Sequence, residues 1–411
     1  MLRTGISYQE ALDQILAAVP RGGPEEVPLA DLVGRTLAED VASRVDSPSV
    51  DASLKDGFAV QSQDVSSADP DHPVRLKLIG ALSAGEQPGR TLAGGTAIRV
   101  MTGAPLPRGS DAVLAGEFAR EEGGAIWCTR DAGPGRNILA RGTDVRAGQI
   151  LARRGQRLHP ALIGLLAAAG LDRVPVVIRP RVAIIGTGDE VVAPGRPLPQ
   201  GKLYASNIVE TMAWLRAFGL TEVTARVVPD RAEEITSAIR DLSDRVDAFV
   251  TSGGAWGSER DLMLVLLKKM GWRGIFSRVR LGPGKAVSFG FLEHRPFFIL
   301  PGGPPSHEAA LLLLALPGLM AMAGWPGPVF PRLSARLIEP MQGRAAWTQC
   351  LHVQLFIRHG ECLARPVKAA SRLSSMADKN GLVLLPEGTA DIPAGRQVEV
   401  QVLAGLDQFF V

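Results

Sequence analysis

The chain has 411 residues, with 45 Lys or Arg against 42 Asp or Glu, 46% hydrophobic and 21% charged residues. At about 150 residues per domain this length predicts two to four domains, each with its own core. The formal charge of +3 excludes a broad basic surface for nucleic acid but leaves room for a small anion pocket.

In chain order, Ala11, Leu12, Ile15, Leu16 and Val19 have helical spacing. Ser7 with Glu10 predicts the cap of that helix, and the run Pro20–Pro24 its end. From Glu25 to about Ala140, short apolar runs (Arg75–Ile79, Thr96–Met101, Ala112–Leu114) separated by Gly and Pro predict a β-rich module. His159–Ala169 predicts a helix stopped by Gly170. The rhythm then changes to buried strands (Val182–Ile185, Glu222–Val228, Ala248–Thr251, Ile275–Leu281, Pro296–Leu300) alternating with helices (Asn207–Phe218, Arg231–Leu242, Asp261–Met270, and one from about Ser306). That alternation predicts an α/β doubly wound, parallel sheet. After Trp325–Pro328, strands at Arg332–Ile338, Leu351–Ile357, Gly381–Leu385 and Gln397–Leu403 predict a small C-terminal β domain.

Gly (46) and Pro (30) make up about 18% of the chain, against roughly 12% in average usage, so turns and backbone-lined loops are abundant. Cys128, Cys350 and Cys362 are too few and scattered for a disulfide framework or a cysteine zinc site, which fits a reducing cytoplasm. The N-terminus lacks the charge and apolar order of a signal peptide. The apolar stretch Ala309–Ala323 is interrupted by Pro317-Gly318 and falls short of the ~20 residues of a membrane span, so it reads as a buried helix.

In an open parallel sheet, ligands bind beyond the carboxyl ends of the strands. Gly-rich loops stand there at Gly186–Glu190, Ser252–Gly257, Gly282–Lys285 and Pro301–Pro304. Their backbone N–H groups suit an anion, and Lys285 adds charge. Asp189, Glu190, Asp230 and Asp261 accompany them, and carboxylates beside phosphate loops suit a bridging divalent cation. The chain lacks the third glycine of a dinucleotide fingerprint and the spacing of a Walker A loop. Its six histidines form no metal motif, and His159 and His307 read as capping or structural.

Thr187-Gly188-Asp189-Glu190, Ser206-Asn207, Ser252-Gly253-Gly254 with Asp261, Gly284-Lys285 and Leu300-Pro301-Gly302, in this order, resemble the molybdopterin-binding domain of the molybdopterin molybdenumtransferases, the MoeA and gephyrin E-domain family. Ser53–Ala59, Arg99–Pro105, Asn137–Asp144, Ser371–Ala377 and Asn380–Leu382 match further motifs of the family, so the likeness spans the chain. The resemblance implies a MogA-like α/β domain at 181–326, a β-rich domain at 25–140, a discontinuous linker domain at 1–24 and 141–180, and a barrel-like C-terminal domain at 327–411. It implies a homodimer in the cytoplasm, with neither nucleic acid nor membrane as partner, that works beside other proteins of cofactor biosynthesis and molybdoenzyme maturation.

The implied reaction is insertion of molybdate into adenylylated molybdopterin with release of AMP, assisted by Mg²⁺. The implied catalytic residues are Asp56, Asp189, Glu190, Asp261 and Lys285, with Asp230 and Asp261 as metal ligands. Substrate binding is implied for Thr102, Gly103, Asp144, Thr187, Gly188, Ser252, Gly253, Gly254, Gly284, Pro301, Gly302, Ser306 and Ser371, of which Thr102 and Asp144, with Asp56, would come from the partner subunit. The chain departs from the family pattern at Trp256, Gly282, Gly303, Leu139 and Gln349, mostly by losing cations or anion donors. Arg278 and Arg280 flank Gly282 and are candidates to restore the charge. Two readings follow: an active transferase with a redrawn anion site, or a paralogue that carries the pterin nucleotide without inserting molybdate.

Overall fold

Strand β1 (Arg3–Ser7) runs into helix α1 (Tyr8–Ala18), and Ser7 Oγ accepts the Glu10 N–H at 3.1 Å, the cap expected from the spacing. The computed structural model describes residues 3–87, 89–253, 262–325, 327, 329–368 and 371–403. It divides into two compact units, 1–25 with 177–411, and 26–176.

In the first unit β2 (Val182–Thr187), α2 (Ser206–Ala217), β3 (Val223–Val228), α3 (Ala232–Ser243), β4 (Ala248–Ser252), α4 (Leu262–Lys269), β5 (Arg273–Gly282), β6 (Ser288–Leu292) and β7 (Arg295–Leu300) follow in order. The strands line up as β3-β2-β4-β7-β6-β5, with β1 added beside β5. β3, β2, β4 and β7 are mutually parallel. β6 is antiparallel to both neighbours, so the sheet is mixed where an all-parallel one was expected. The reason is local: two residues separate Leu292 from Arg295, and a parallel crossover needs roughly a dozen. α1 and α2 pack on one face around Ile184, Val250 and Phe298, and α3 and α4 on the other around Ile185, Phe249 and Phe297.

Helix α5 (Pro304–Met322) is long and apolar enough to cross a membrane, but 78% of that stretch is buried inside the protein, so it is a core helix. Pro317-Gly318 does not interrupt it, contrary to the sequence expectation. A π-turn at Leu311–Ala315, in which the Leu316 N–H reaches back to the Leu311 carbonyl, resets the ladder just before Pro317. A side chain at Gly318 would stand 2.7 Å from Ile15 and 2.9 Å from Phe298, so glycine lets α5 seat against α1 and β7.

The chain continues into β8 (Arg332–Leu337), β9 (Thr348–Arg358), β10 (Glu361–Pro366), helix α6 (Arg372–Asp378), β11 (Gly381–Leu385) and β12 (Gln397–Val402). They pair as β9-β10-β8-β12-β11, and β11 pairs again with β9, closing a small barrel around Val353, Leu355, Val383 and Val400. β10 and α6 had no clear sequence signal. The barrel joins the sheet through Leu281 and Gly282 of β5, paired with Thr348 and Gln349.

The second unit holds a mixed sheet in the order Ala112–Ala115, Gly57–Val60, Thr96–Val100, Val74–Leu82, Ala125–Cys128, Ala119–Glu122. Separate cores lie around Phe58 and Leu114, and around Ala59 and Ile98. A further core gathers Leu32, Leu37, Leu158 and the helix Pro160–Ala168, capped by His159 and followed by Gly170 at φ +80°.

Candidate active site

Ile185, Thr251, Ile299, Ser288 and Ser277 form one row across the sheet. Because β5 points the same way as β7, the loops after β2, β4, β7 and β5 all leave one edge. This edge collects Thr187, Gly188, Asp189 and Glu190, Ser252 and Gly253, Pro301 and Gly302, and the Gly284-Lys285 turn. Gly254, Trp256 and Asp261 lie outside the described residues.

Asn207, in the first turn of α2, ties two of these loops together. Its Nδ2 donates to Ser252 Oγ at 2.9 Å and to the Gly302 carbonyl at 2.8 Å. Its Oδ1 is buried and has no partner among the described residues. Gly253 has φ +98°, and a side chain there would stand 2.5 Å from the Thr187 carbonyl oxygen. A Cβ on Gly302 would lie 3.4 Å from Gly253 Cα. His307 braces the β7 loop from below. Fully buried, it lies 2.8 Å from Thr211 Oγ1 through Nε2 and 3.2 Å from the Pro301 carbonyl through Nδ1. A carbonyl only accepts, so Nδ1 carries the proton. Burial lowers the imidazole to about 4, which keeps it neutral.

The acidic residues gather at one end of the edge. The Asp230 N–H donates to Asp189 Oδ1 at 3.2 Å, and the Glu190 carboxylate folds over Gly188, 2.8 Å from where a Cβ would be. Burial, with the like charges of Glu190 and Asp189, raises the Asp230 carboxyl above its ordinary value, against an opposing influence of the nearby Thr187 hydroxyl. Lys202 donates to the Asp189 carbonyl.

At the other end, Lys285 is exposed in the β5–β6 turn beside Gly284, whose φ is +119°. A cavity of about 540 Å³ opens there, bounded by Pro283, Met341, Cys350, His352, Lys368 and Ser375. Ser371 caps α6, its Oγ accepting the Ser374 N–H at 3.1 Å, and Ser306 lies in the first turn of α5. Two of the departures meet here: the Gln349 amide nitrogen stands 2.8 Å from where a Cβ on Gly282 would be. Arg280 is not free to replace the lost charge, because Nε lies 3.0 Å from both Glu387 oxygens and another nitrogen holds the Gly5 carbonyl. Arg278 takes the left-handed φ of +62°.

In the second unit Asp56 Oδ1 accepts the Thr102 N–H at 2.6 Å and its hydroxyl at 2.8 Å, and these bonds hold the carboxyl below its usual range. Gly103 follows at φ +80°, its N–H on the Ser53 carbonyl at 2.8 Å. Asp144 sits on a separate turn, its N–H bonded to the Ser47 carbonyl at 2.9 Å, and Leu139 pairs with Ala52. Neither the bridging part of Asn207 nor the cavity positions of His352, Lys368 and Ser375 were read from the sequence, although Asn207 and Ser375 lie in the matched motifs. They become neighbours of the loops through contacts far apart in the chain.

Three family profiles match along the chain: "MoeA N-terminal region (domain I and II)" over residues 6–170, "Probable molybdopterin binding domain" over 183–321, and "MoeA C-terminal region (domain IV)" over 334–403. The chain is 32% identical to Molybdopterin molybdenumtransferase 2 of Mycobacterium tuberculosis H37Rv, covering 92% of this chain and 94% of that protein. It is 30% identical to the Molybdopterin molybdenumtransferase of Bacillus subtilis, covering 98% and 95%. Among solved structures, the molybdopterin biosynthesis moea protein from Pyrococcus horikosii superposes with a TM-score of 0.84 at 32% identity, covering 98% of this chain and all of that one.

Proposed function

Because the chain belongs to the molybdopterin molybdenumtransferase family, we propose that it inserts molybdate into adenylylated molybdopterin and releases AMP. The observation that carries this reading is the convergence on one sheet edge of the Asn207-bridged Gly loops with the Asp189, Glu190 and Asp230 carboxylates. The loops offer backbone N–H groups to the pterin phosphates, and the Asn207 Oδ1 offers an acceptor to a ligand donor. The cavity beside Pro283, lined by Lys368 and lying two residues along the chain from Lys285, takes the molybdate oxyanion. Thr187, Gly188, Ser252, Gly253, Gly284, Pro301, Gly302, Ser306 and Ser371 line the path of the substrate.

The carboxylates fit a magnesium ion. All are oxygen donors, and their mutual repulsion at Asp230 is what a cation relieves. Asp189 and Asp230 would hold it, and when bound it would neutralise the phosphoanhydride. Glu190 orders water at the same point, and Lys285 offsets the charge of the oxyanion.

The same reading makes the protein a homodimer in which Asp56, Thr102, Gly103 and Asp144 of one subunit serve the partner's sheet edge, with the four-part domain division implied by the resemblance. A cytoplasmic location is supported by the free thiols of Cys128, Cys350 and Cys362. Other proteins of cofactor biosynthesis and molybdoenzyme maturation would be its further partners.

The test is AMP release by the purified protein given adenylylated molybdopterin, Mg²⁺ and molybdate, beside Asp189→Asn. The native protein is expected to release AMP and the variant to lose most of it. Equal rates in both would remove the carboxylate edge from the reaction.

A further inference from the structure

Glu308 of α5 and Lys379, which follows α6, form an ion pair at 2.5 Å with side chains only 3% and 2% exposed. Lys379 Nζ also donates to the Met376 carbonyl at 2.8 Å. The second Glu308 oxygen lies 3.7 Å from His352 Nε2 on β9, and His352 Nδ1 is 3.0 Å from Ser375 Oγ of α6. From α2, Glu210 hydrogen-bonds to Glu308 and Trp214. Cys350 of β9 faces the pair as well, with Tyr8 of α1 beside it. A cavity of about 490 Å³ flanks the pair, bounded by Glu210, Trp214, Glu308, Met376 and Lys379. The reaction proposed above uses none of these charges.

A buried ion pair is a poor source of net stability, because desolvation offsets most of its Coulomb attraction. What it supplies is direction, and the residues next to Glu308 show what is being directed. His307 precedes it in α5 and braces the Pro301 carbonyl against Thr211 of α2. Asn207, one turn earlier on α2, holds the Gly302 carbonyl. Thus α2 and α5 together fix the β7 loop, and Glu308 on the same turn of α5 ties the barrel to them through Lys379. Of the residues that bound the cavity at Pro283, His352 stands 3.7 Å from the same carboxylate and holds Ser375 through its other ring nitrogen.

We propose that Glu308 and Lys379 are positioning residues, whose ion pair sets the spacing between the C-terminal barrel and the β7 loop and so the width of the cavity that takes the oxyanion. The proposal rests on the function inferred above. Glu210 tunes the pair. Burial first, and then the Glu308 charge, push its carboxyl up to about 8. At neutral pH the Glu210 and Glu308 carboxyls therefore share one proton, leaving one negative charge facing one ammonium. Above that value two carboxylates compete for Lys379 and the pair loosens.

The test uses the full-length protein and two readouts: the molybdate KM and kcat of AMP release, and hydrogen exchange of residues 371–385. The double variant E308Q/K379M removes both charges at nearly constant volume, and so avoids the unpaired buried charge that would unfold K379M alone. It is expected to melt close to the native protein, to exchange faster over 371–385, and to show a molybdate KM raised about tenfold with little change in kcat. K379R is expected to recover most of the native KM. The native KM is expected to rise between about pH 7 and 9, and E210Q to flatten that rise. A double variant with native KM and native exchange would overturn the proposal. If the native protein releases no AMP, the functional reading fails by itself, and unchanged exchange in the double variant would separately overturn the positioning role.

Discussion

Two glycines of the candidate site differ in what a side chain would meet, and the difference decides what substitution does. At Gly253 the backbone is left-handed at φ +98° and the obstacle is the Thr187 carbonyl, 2.5 Å away, which cannot turn aside. Gly253→Ala is expected to lower stability by about 1–3 kcal/mol and to abolish pterin-nucleotide binding measured by titration. At Gly282 the obstacle is the end of the Gln349 side chain, which can swing away. Gly282→Lys is therefore expected to melt within a few degrees of native and to lower the molybdate KM about tenfold, since a charge-assisted hydrogen bond contributes ~1.5–3 kcal/mol. An unchanged KM would show that the missing cation is not what limits anion binding.

Asp230 gives a pH test with a defined sign. Its carboxyl is raised in the folded state, so the native protein holds that proton more tightly than the unfolded chain does. Its contribution to stability therefore falls as pH rises from the ordinary carboxylate range through the raised value. Asp230→Asn lacks this fall, so it is expected to melt above the native protein at neutral pH, the gap closing on acidification, while Mg²⁺-dependent AMP release drops at least about tenfold. Thermal melts across pH without such a convergence would contradict the burial of Asp230 beside these carboxylates. The acids and glycines were legible because each sits at a strand end. The Gln349–Gly282 contact and the engagement of Arg280 by Glu387 were not, because both join residues distant in the chain.

At the scale of elements, most helices and strands follow from period and caps, as Ser7 on α1 and the apolar β2 and β4 show. The failures have local causes. β6 turns back because its connection to β7 is too short for a crossover. Pro317 sits within α5 because the preceding π-turn changes the hydrogen-bond count, which no residue pattern announces. Helix α6 has seven residues and no buried face, so it leaves no apolar stripe to detect. Gly318→Ala would press a methyl group onto Ile15 and Phe298 in a packed core. It is expected to lower stability by about 1–3 kcal/mol by denaturant unfolding, and a neutral result would mean that α1 and α5 are less tightly seated.

At the scale of the molecule, the change of rhythm near Val182 and the Gly and Pro excess foretold an α/β body carrying β-rich modules. The strand pattern alone showed the closed barrel only as a group of strands, and the family resemblance supplied the barrel-like shape, since closure depends on β11 pairing with β9 as well as with β12. The near-balanced net charge also gains meaning: an anion site built from backbone N–H groups and a few cations needs no basic surface. The most direct measurement of the central claim is the stoichiometry of a single turnover, with molybdenum bound to the pterin and AMP released counted in the same reaction. One molybdenum incorporated per AMP released is expected. Tight retention of the adenylylated pterin with no AMP and no molybdenum transfer would contradict the transferase and favour a carrier.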